Sequence, residues 1–236
     1  MNIRLGFSTG CFFRSHIGLR RRVEIIKDAG CNALEIGLIK MTDNDLAEIA
    51  KFTPEHFDKF DYVSVHAPII EYGHNEETKK IFKLIARINQ IRVLDLVIFH
   101  PNTINDFSVF DDLDFPVAFE NMDRNKLIYQ YPEEFEKIFG RNKEFQLVLD
   151  VNHIYTVDPS MELAFAFYKK WGHRIGQIHL SGYRGYHDPL FETKQTKIIA
   201  AIRNFNMPII IESIIGINDI EKERDYILRT MKELQE

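Results

Sequence analysis

Short apolar runs recur eight times in this 236-residue chain, and the stretch after each run carries helical spacing. The runs fall at 3–8, 33–37, 61–66, 94–100, 116–120, 146–150, 175–180 and 208–212; helices are expected at 17–29, 43–51, 76–91, 105–113, 132–139, 161–171, 191–204 and 219–234. Strict alternation of strand and helix requires parallel strands joined by right-handed crossovers. Eight such units in a chain of this length predict a single (β/α)8 TIM barrel over 1–236, a parallel eight-stranded barrel with outer helices. A doubly wound open sheet is the runner-up. It more often carries a glycine-rich phosphate turn after the first strand, and Gly6-Phe7-Ser8-Thr9-Gly10-Cys11 does not match that pattern.

Six of the runs end in a residue that can bind a metal or move a proton: His66, His100, Glu120, Asp150, His179 and Glu212. Side chains alternate along a strand. If each terminal residue points into the barrel, Ser64, Ile98, Ala118, Val148, Gln177 and Ile210 also point inward. Val63, Val65, Val97, Phe99, Val117, Phe119, Leu147, Leu149, Ile178, Ile209 and Ile211 then face the helices. The second set is uniformly apolar, as a helix-covered face must be. One register therefore serves all six strands and gathers their terminal residues at the C-terminal mouth, where the active sites of TIM barrels lie.

Two glutamates, an aspartate and several histidines packed together repel one another unless a cation neutralises them. A divalent metal is the simplest solution. Glu120, Asp150, His179 and Glu212 form the inner ligand set; its oxygen-rich donors suit Mn²⁺ or Mg²⁺, and added imidazoles favour Zn²⁺. His66 and His100 bring a second ion with Glu120 as the bridge, and His153 with His187 a third, so one to three ions are expected. His16, His56, His74 and His173 fall in loops or on helix surfaces and are read as structural. Glu35, at the end of the second strand, is a further inward polar residue, assigned to substrate hydroxyls or to a buried pair with Lys or Arg. Phe12, with Phe13 and Arg14 in the loop after strand one, is assigned to an apolar lid over a small substrate in preference to a wedge in a duplex.

Composition narrows the partners. Net charge is −5 and the only basic cluster is Arg20-Arg21-Arg22, read as a solvated helix start, so nucleic acid is disfavoured as a ligand without being excluded. Two cysteines, Cys11 and Cys31, provide neither a disulfide framework nor a zinc cluster and fit a reducing cytosol. No signal peptide is read at the N-terminus, and no apolar run approaches the ~20 residues of a membrane span. Cytoplasmic placement is the expectation; oligomeric state stays open.

The fragments VHAP, FHPN, FEN, LDVNH, IHLSG, HDPL and IES, in that order, resemble the xylose isomerase-like TIM-barrel superfamily, which includes sugar isomerases, epimerases and endonuclease IV. The resemblance covers essentially the whole chain. In the isomerases and epimerases it implies one metal on Glu120, Asp150, His179 and Glu212. The two glutamates move a proton on the carbon beside a carbonyl, and His153 and Arg184 hold substrate oxygens. In the endonuclease it implies nine ligands on three zinc ions. Eight are matched here by His66, His100, Glu120, Asp150, His153, His179, His187 and Glu212. Gly185 stands where the ninth, an aspartate, belongs, and Asp188 is the one substitute at hand.

The expectation is a metal-dependent isomerase or epimerase acting on a small sugar or sugar phosphate, with Glu120 and Glu212 as the proton-transfer pair. The alternative is a di- or trinuclear phosphoesterase of the endonuclease IV type. A barrel that only binds metal or ligand ranks third.

Overall fold

The computed structural model describes residues 3–39 and 43–236. Eight strands close into an all-parallel barrel in chain order: β1 (Leu5–Ser8), β2 (Ala33–Gly37), β3 (Tyr62–His66), β4 (Leu96–Phe99), β5 (Val117–Glu120), β6 (Gln146–Asp150), β7 (Ile175–Leu180) and β8 (Ile209–Ile211). The last strand pairs with the first through Gly6↔Ile210, so no strand edge is left open.

The alternation read from sequence is seen as two separate apolar cores. Inside the barrel, Ala33, Tyr62, Leu96, Ile98, Ala118, Val148 and Ile210 pack into a plug. Outside the wall, every residue assigned to the helix-facing side belongs to the large core between barrel and helices. Ile98, Ala118, Val148 and Ile210 each lie two residues before a mouth residue. The plug thus seals the barrel beneath the polar mouth and keeps water from entering below.

The outer layer comprises α1 (Leu19–Asp28), α2 (Asp43–Ile49), α3 (Glu76–Ile91), α4 (Glu136–Arg141), α5 (Val151–Val157), α6 (Glu162–Trp171), α7 (Leu190–Thr193), α8 (Thr196–Ala200) and α9 (Ile220–Glu233). Helix α3 has the expected bounds. Asn75 Oδ1 accepts from Thr78 N at 2.8 Å to cap it, and Ile81, Ile85 and Ile88 form its buried stripe. Helix α1 stops at Gly30, whose φ of 73° is the left-handed conformation glycine adopts at least cost.

Three helical segments differ from expectation. The 105–113 segment forms only a 3-10 turn, Phe107–Phe110, because its aromatic rings pack edge-on into the Phe99–Phe119 cluster. The 191–204 segment is broken into α7 and α8 by Lys194, at φ 56°. Helix α5, directly after β6, has no counterpart in the expected series. It begins at the residue after Asp150 and carries His153 in its first turn.

Candidate metal centre

Asp150 does two jobs with its two oxygens. Oδ1 accepts from the His153 backbone N–H at 2.8 Å and caps α5. Oδ2 is buried, has no hydrogen-bond partner, and lies 3.4 Å from His153 Nε2. The strand end is held by Asn121: its amide Nδ2 donates to the Asp150 carbonyl at 3.0 Å and its Oδ1 accepts from Asp150 N–H at 2.8 Å. Asn152 Nδ2 donates to the Gly182 carbonyl at 2.6 Å and ties α5 to the loop after β7. Backbone ladders end at the mouth, and these two amides extend them.

Glu120, Asp150, His179 and Glu212 each offer a ligand atom within 4.8 Å of the others, and so do His66, His100 and Glu120. Glu120 belongs to both groups. Its Oε1 lies 2.5 Å from His179 Nδ1; its Oε2 lies 2.9 Å from His100 Nε2 and 3.3 Å from His66 Nε2. Glu212 Oε2 is 3.5 Å from His179 Nδ1.

Tautomers follow from fixed acceptors. His66 Nδ1 faces the Ala67 carbonyl at 3.0 Å and His153 Nδ1 the Asn121 carbonyl at 2.8 Å. A carbonyl only accepts, so both Nδ1 atoms carry a proton and both Nε2 atoms face the cavity. His66 Nε2, His100 Nε2 and Glu120 Oε2 therefore converge, with the two imidazole nitrogens 3.2 Å apart. Two donors on a tetrahedral zinc at ~2.0–2.1 Å lie roughly 3.3 Å from each other. The spacing, the hard oxygen-rich inner set and the orphaned Asp150 Oδ2 all fit a divalent ion.

Without such an ion, protons compensate. Burial would push the Glu120 carboxyl up, but His179, His100 and His66 hold it well below the usual range. Glu212 is pushed up to about 8 by burial, with Glu120, Glu35 and Asp150 adding repulsion that His179 only partly offsets. Asp150 rises to about 6, mainly through burial. His66, despite burial, rises to about 9 because Glu120 faces it, and His179 is held well above its ordinary value by Glu212, Glu35 and Glu120. Burial sends His100 down to about 4 and, with His153 beside it, His187 to about 3.

The cavity above this centre has a volume of ≈ 280 Å³. His66, His100, Glu120, His153, His187 and Glu212 line it, so most of the sequence-assigned residues meet in one place. Four assignments need correction. Phe12 is fully buried in the outer core, and its neighbour Phe13 lines the cavity instead: the 3-10 turn at Thr9–Phe12 rotates the two rings to opposite sides. Arg184 is turned outward, with its side chain 57% exposed and paired to Glu192 at 2.6 Å. Glu35 is also fully buried, lies below the cavity and pairs with His179 at 2.9 Å, not with Lys or Arg. Asp188 joins neither group of converging ligand atoms among the described residues, and its Oδ2 accepts from the backbone N–H groups of Arg184, Gly185 and Tyr186 at 2.7, 3.1 and 3.2 Å.

Arg22 and Lys126 also line the cavity, and sequence reasoning does not single them out as site residues. Arg22 Nε donates to the Ile17 carbonyl at 2.9 Å, which orients the guanidinium, and neither cation has a carboxylate partner among the described residues. Arg22 thus leaves the solvated helix start to which its basic cluster assigns it. Its helical position, one turn into α1, is the signal that could have aimed it at the mouth.

Fold and site together define a closed (β/α)8 barrel with a carboxylate–imidazole centre at its C-terminal mouth. No protein-family model and no curated protein matches the chain. Solved structures do. A D-tagatose 3-epimerase-like protein superposes with a TM-score of 0.71 at 16% identity, over 99% of this chain and 98% of that one. Endonuclease IV from Thermus thermophilus gives 0.65 at 16% identity, over 98% of each chain. The apo form of 3-keto-D-glucoside 4-epimerase from E. coli gives 0.64 at 14% identity, over 99% of each. The chain has the TIM-barrel fold of these structures. No helix among the described residues is long and apolar enough to cross a membrane.

Proposed function

We propose that this chain is a divalent-metal-dependent isomerase or epimerase of a small sugar carrying an anionic group, most simply a sugar phosphate. The convergence of Glu120, Asp150, His179 and Glu212 at the base of a cavity of sugar size carries the reading. Those four residues would hold the ion, which when bound polarises a carbonyl and stabilises the negative charge that develops beside it.

Glu120 and Glu212 both reach His179 Nδ1, at 2.5 and 3.5 Å. One glutamate would take a proton from the carbon beside the carbonyl and the other would return one to it. The surroundings of the metal-free site already drive the two apart, Glu120 toward the base and Glu212 toward the acid, which is how paired carboxylates divide such roles. His153 Nε2 faces the cavity and would bond to a substrate hydroxyl. Phe13, Ile69 and Tyr186 at the wall exclude water from the reacting carbon. Arg22 and Lys126 supply two cations with no acidic partner among the described residues, in an otherwise acidic cavity, which favours an anionic end group on the substrate.

A binuclear phosphoesterase is the second reading, favoured by one observation: His66 and His100 complete a further cluster on Glu120. Against a trinuclear endonuclease stand the engagement of Asp188 in its own turn and the absence of any Lys or Arg lining the cavity, among the described residues, beyond Arg22 and Lys126.

The test is incubation of Mn²⁺-loaded protein with ketoses and their phosphates in D₂O. Deuterium at the carbon beside the carbonyl, with inversion or carbonyl migration, is expected. Phosphate release or diester cleavage without deuterium uptake would overturn the proposal.

A further inference from the structure

Glu35 has no part in the chemistry above, yet its carboxylate is buried at 0% exposure. Its Oε2 gathers three side chains: His179 Nε2 at 2.9 Å, Gln177 Nε2 donating at 2.8 Å, and Ser64 Oγ donating at 3.4 Å. Its Oε1 has no partner. Among the described residues no Lys or Arg neutralises it. An ionised carboxylate at that depth is costly unless it is paired, and its only charged or chargeable neighbour in hydrogen-bond contact is His179.

The two nitrogens of His179 face opposite ways. Nδ1 looks up at Glu120 Oε1 and Glu212 Oε2, at 2.5 and 3.5 Å; Nε2 looks down at Glu35. Gln177 Nε2 also lies 2.7 Å from His179 Nε2, but its hydrogen is directed to Glu35 Oε2; that oxygen, which accepts from Gln177 and Ser64, is the acceptor for a proton on His179 Nε2. In the neutral ring that leaves the Nδ1 lone pair directed at the centre. Neutral His with its lower N–H on a carboxylate is a more basic ligand than the same ring facing water, and it cannot rotate or switch tautomer without stranding Glu35.

We infer that Glu35 is a positioning residue: through its hydrogen bond to His179 Nε2 it fixes the ring's tautomer and orientation and raises the affinity of the centre for a divalent ion. Gln177 and Ser64 complete the device, because they hold Glu35 from the strands β7 and β3 and prevent the carboxylate from turning away. The inference rests on the metal-dependent reading of the site proposed above, though not on which substrate the site turns over.

Metal-free wild type, Glu35→Gln and Glu35→Ala would be titrated with Mn²⁺ and Zn²⁺ against a chromophoric chelator, and the Tm of each metal-free protein measured. Glu35→Gln keeps an acceptor for Nε2–H and removes the charge; we expect metal to bind ~10–100-fold more weakly, the range typical of partners behind a ligating histidine. Glu35→Ala loses the orienting bond as well and binds more weakly still. Metal-free Tm falls in Glu35→Ala, which leaves His179, Gln177 and Ser64 without their acceptor, and changes less in Glu35→Gln; a merely structural role would lower Tm and leave metal affinity alone. Wild-type affinity in both variants overturns the inference.

Should the variants not fold, ¹⁵N-histidine NMR of zinc-loaded wild type decides: His179 protonated on Nε2 and metallated on Nδ1 is expected, and the reverse tautomer overturns it. Wild-type protein that binds neither ion overturns both this inference and the proposed function. Wild type that binds an ion but turns over no sugar overturns only the latter.

Discussion

Removing the divalent ion should make the barrel's stability fall as pH rises through neutrality. Glu212, with a pKa raised to about 8, and His66, raised to about 9, both bind protons in the metal-free native state that they release on unfolding above pH 6.5. For a group whose folded pKa is raised, the stabilising contribution is fully present below its ordinary value and is lost as pH rises through the folded value. Glu120 is held low, so its contribution is lost only in acid and is constant in this range. His100 and His187, pushed down to about 4 and 3, act in the opposite sense to Glu212, but only below pH 6.5.

The clean window is therefore pH 6.5 to 8.5. The two groups share one crowded site, so we count a single extra proton: ~1.4 kcal/mol per pH unit, or ~3 kcal/mol over the window. For a chain of this size that is a fall in Tm of about 6–12 °C. Differential scanning calorimetry in EDTA against saturating Mn²⁺ or Zn²⁺ reads it directly. With metal bound, the ion replaces those protons, the downward slope disappears, and the gap between the two curves widens with pH. A metal-free Tm that is flat or rising from pH 6.5 to 8.5, or an equal decline with metal present, would refute the electrostatic picture of the centre.

Three further outcomes are expected. Glu120→Gln should cut turnover by ~10²–10⁴-fold, the usual worth of a general acid–base group, and retained turnover in steady-state assays would remove Glu120 from the chemistry. Arg22→Ala and Lys126→Ala should each raise KM for a phosphorylated substrate at least ~10-fold, from loss of a charge-assisted bond, with KM for the unphosphorylated sugar unchanged; equal effects on both substrates would dissociate these cations from the anionic end. Phe12→Ala should cost ~3–5 kcal/mol of stability with the site intact, as for any fully buried phenyl ring, whereas Phe13→Ala should raise KM; the reverse pattern in thermal melts and kinetics would restore Phe12 to the lid.

Much of the architecture was legible because parity is a strict rule. Val63, Val65, Val97, Phe99 and their counterparts face the helices, and a one-residue slip in any strand would have put charge against that layer. His66, Glu120 and Asp150 complete strands that keep this register, His179 stands one residue before the end of its own, and the same alternation carried on to His100 and Glu212, one residue beyond theirs. What stayed illegible depends on single backbone angles or on which of several donors a group chooses. A short 3-10 turn exchanged Phe12 for Phe13. Arg184 found Glu192 eight residues on, and Asp188 found three N–H groups in its own loop. Neither choice leaves a periodic trace in the sequence.

Asp150 is the clearest case, because a strand-end aspartate can serve as a helix cap or as a metal ligand and the two uses look like rivals. A carboxylate has two oxygens, and here they point to different partners. Oδ1 caps α5, and this bond starts the helix at the residue after Asp150, with His153 in its first turn. The cap fixes the carboxylate plane, which directs Oδ2 into the buried space beside Glu120 and His179, where no N–H or O–H meets it. The structural role thus aims the chemical one: the bond that stabilises the helix is what leaves an unpartnered oxygen at the centre. Asp150→Asn separates the two. The amide oxygen can still cap α5, but the uncharged side chain puts either N–H groups or a weaker oxygen donor into the space of Oδ2. The variant should therefore keep its fold and lose metal affinity by more than Glu35→Gln does, because Asp150 would touch the ion and Glu35 acts only through His179. Equal affinities in the two variants, measured by the same chelator competition, would mean that Asp150 is a cap alone.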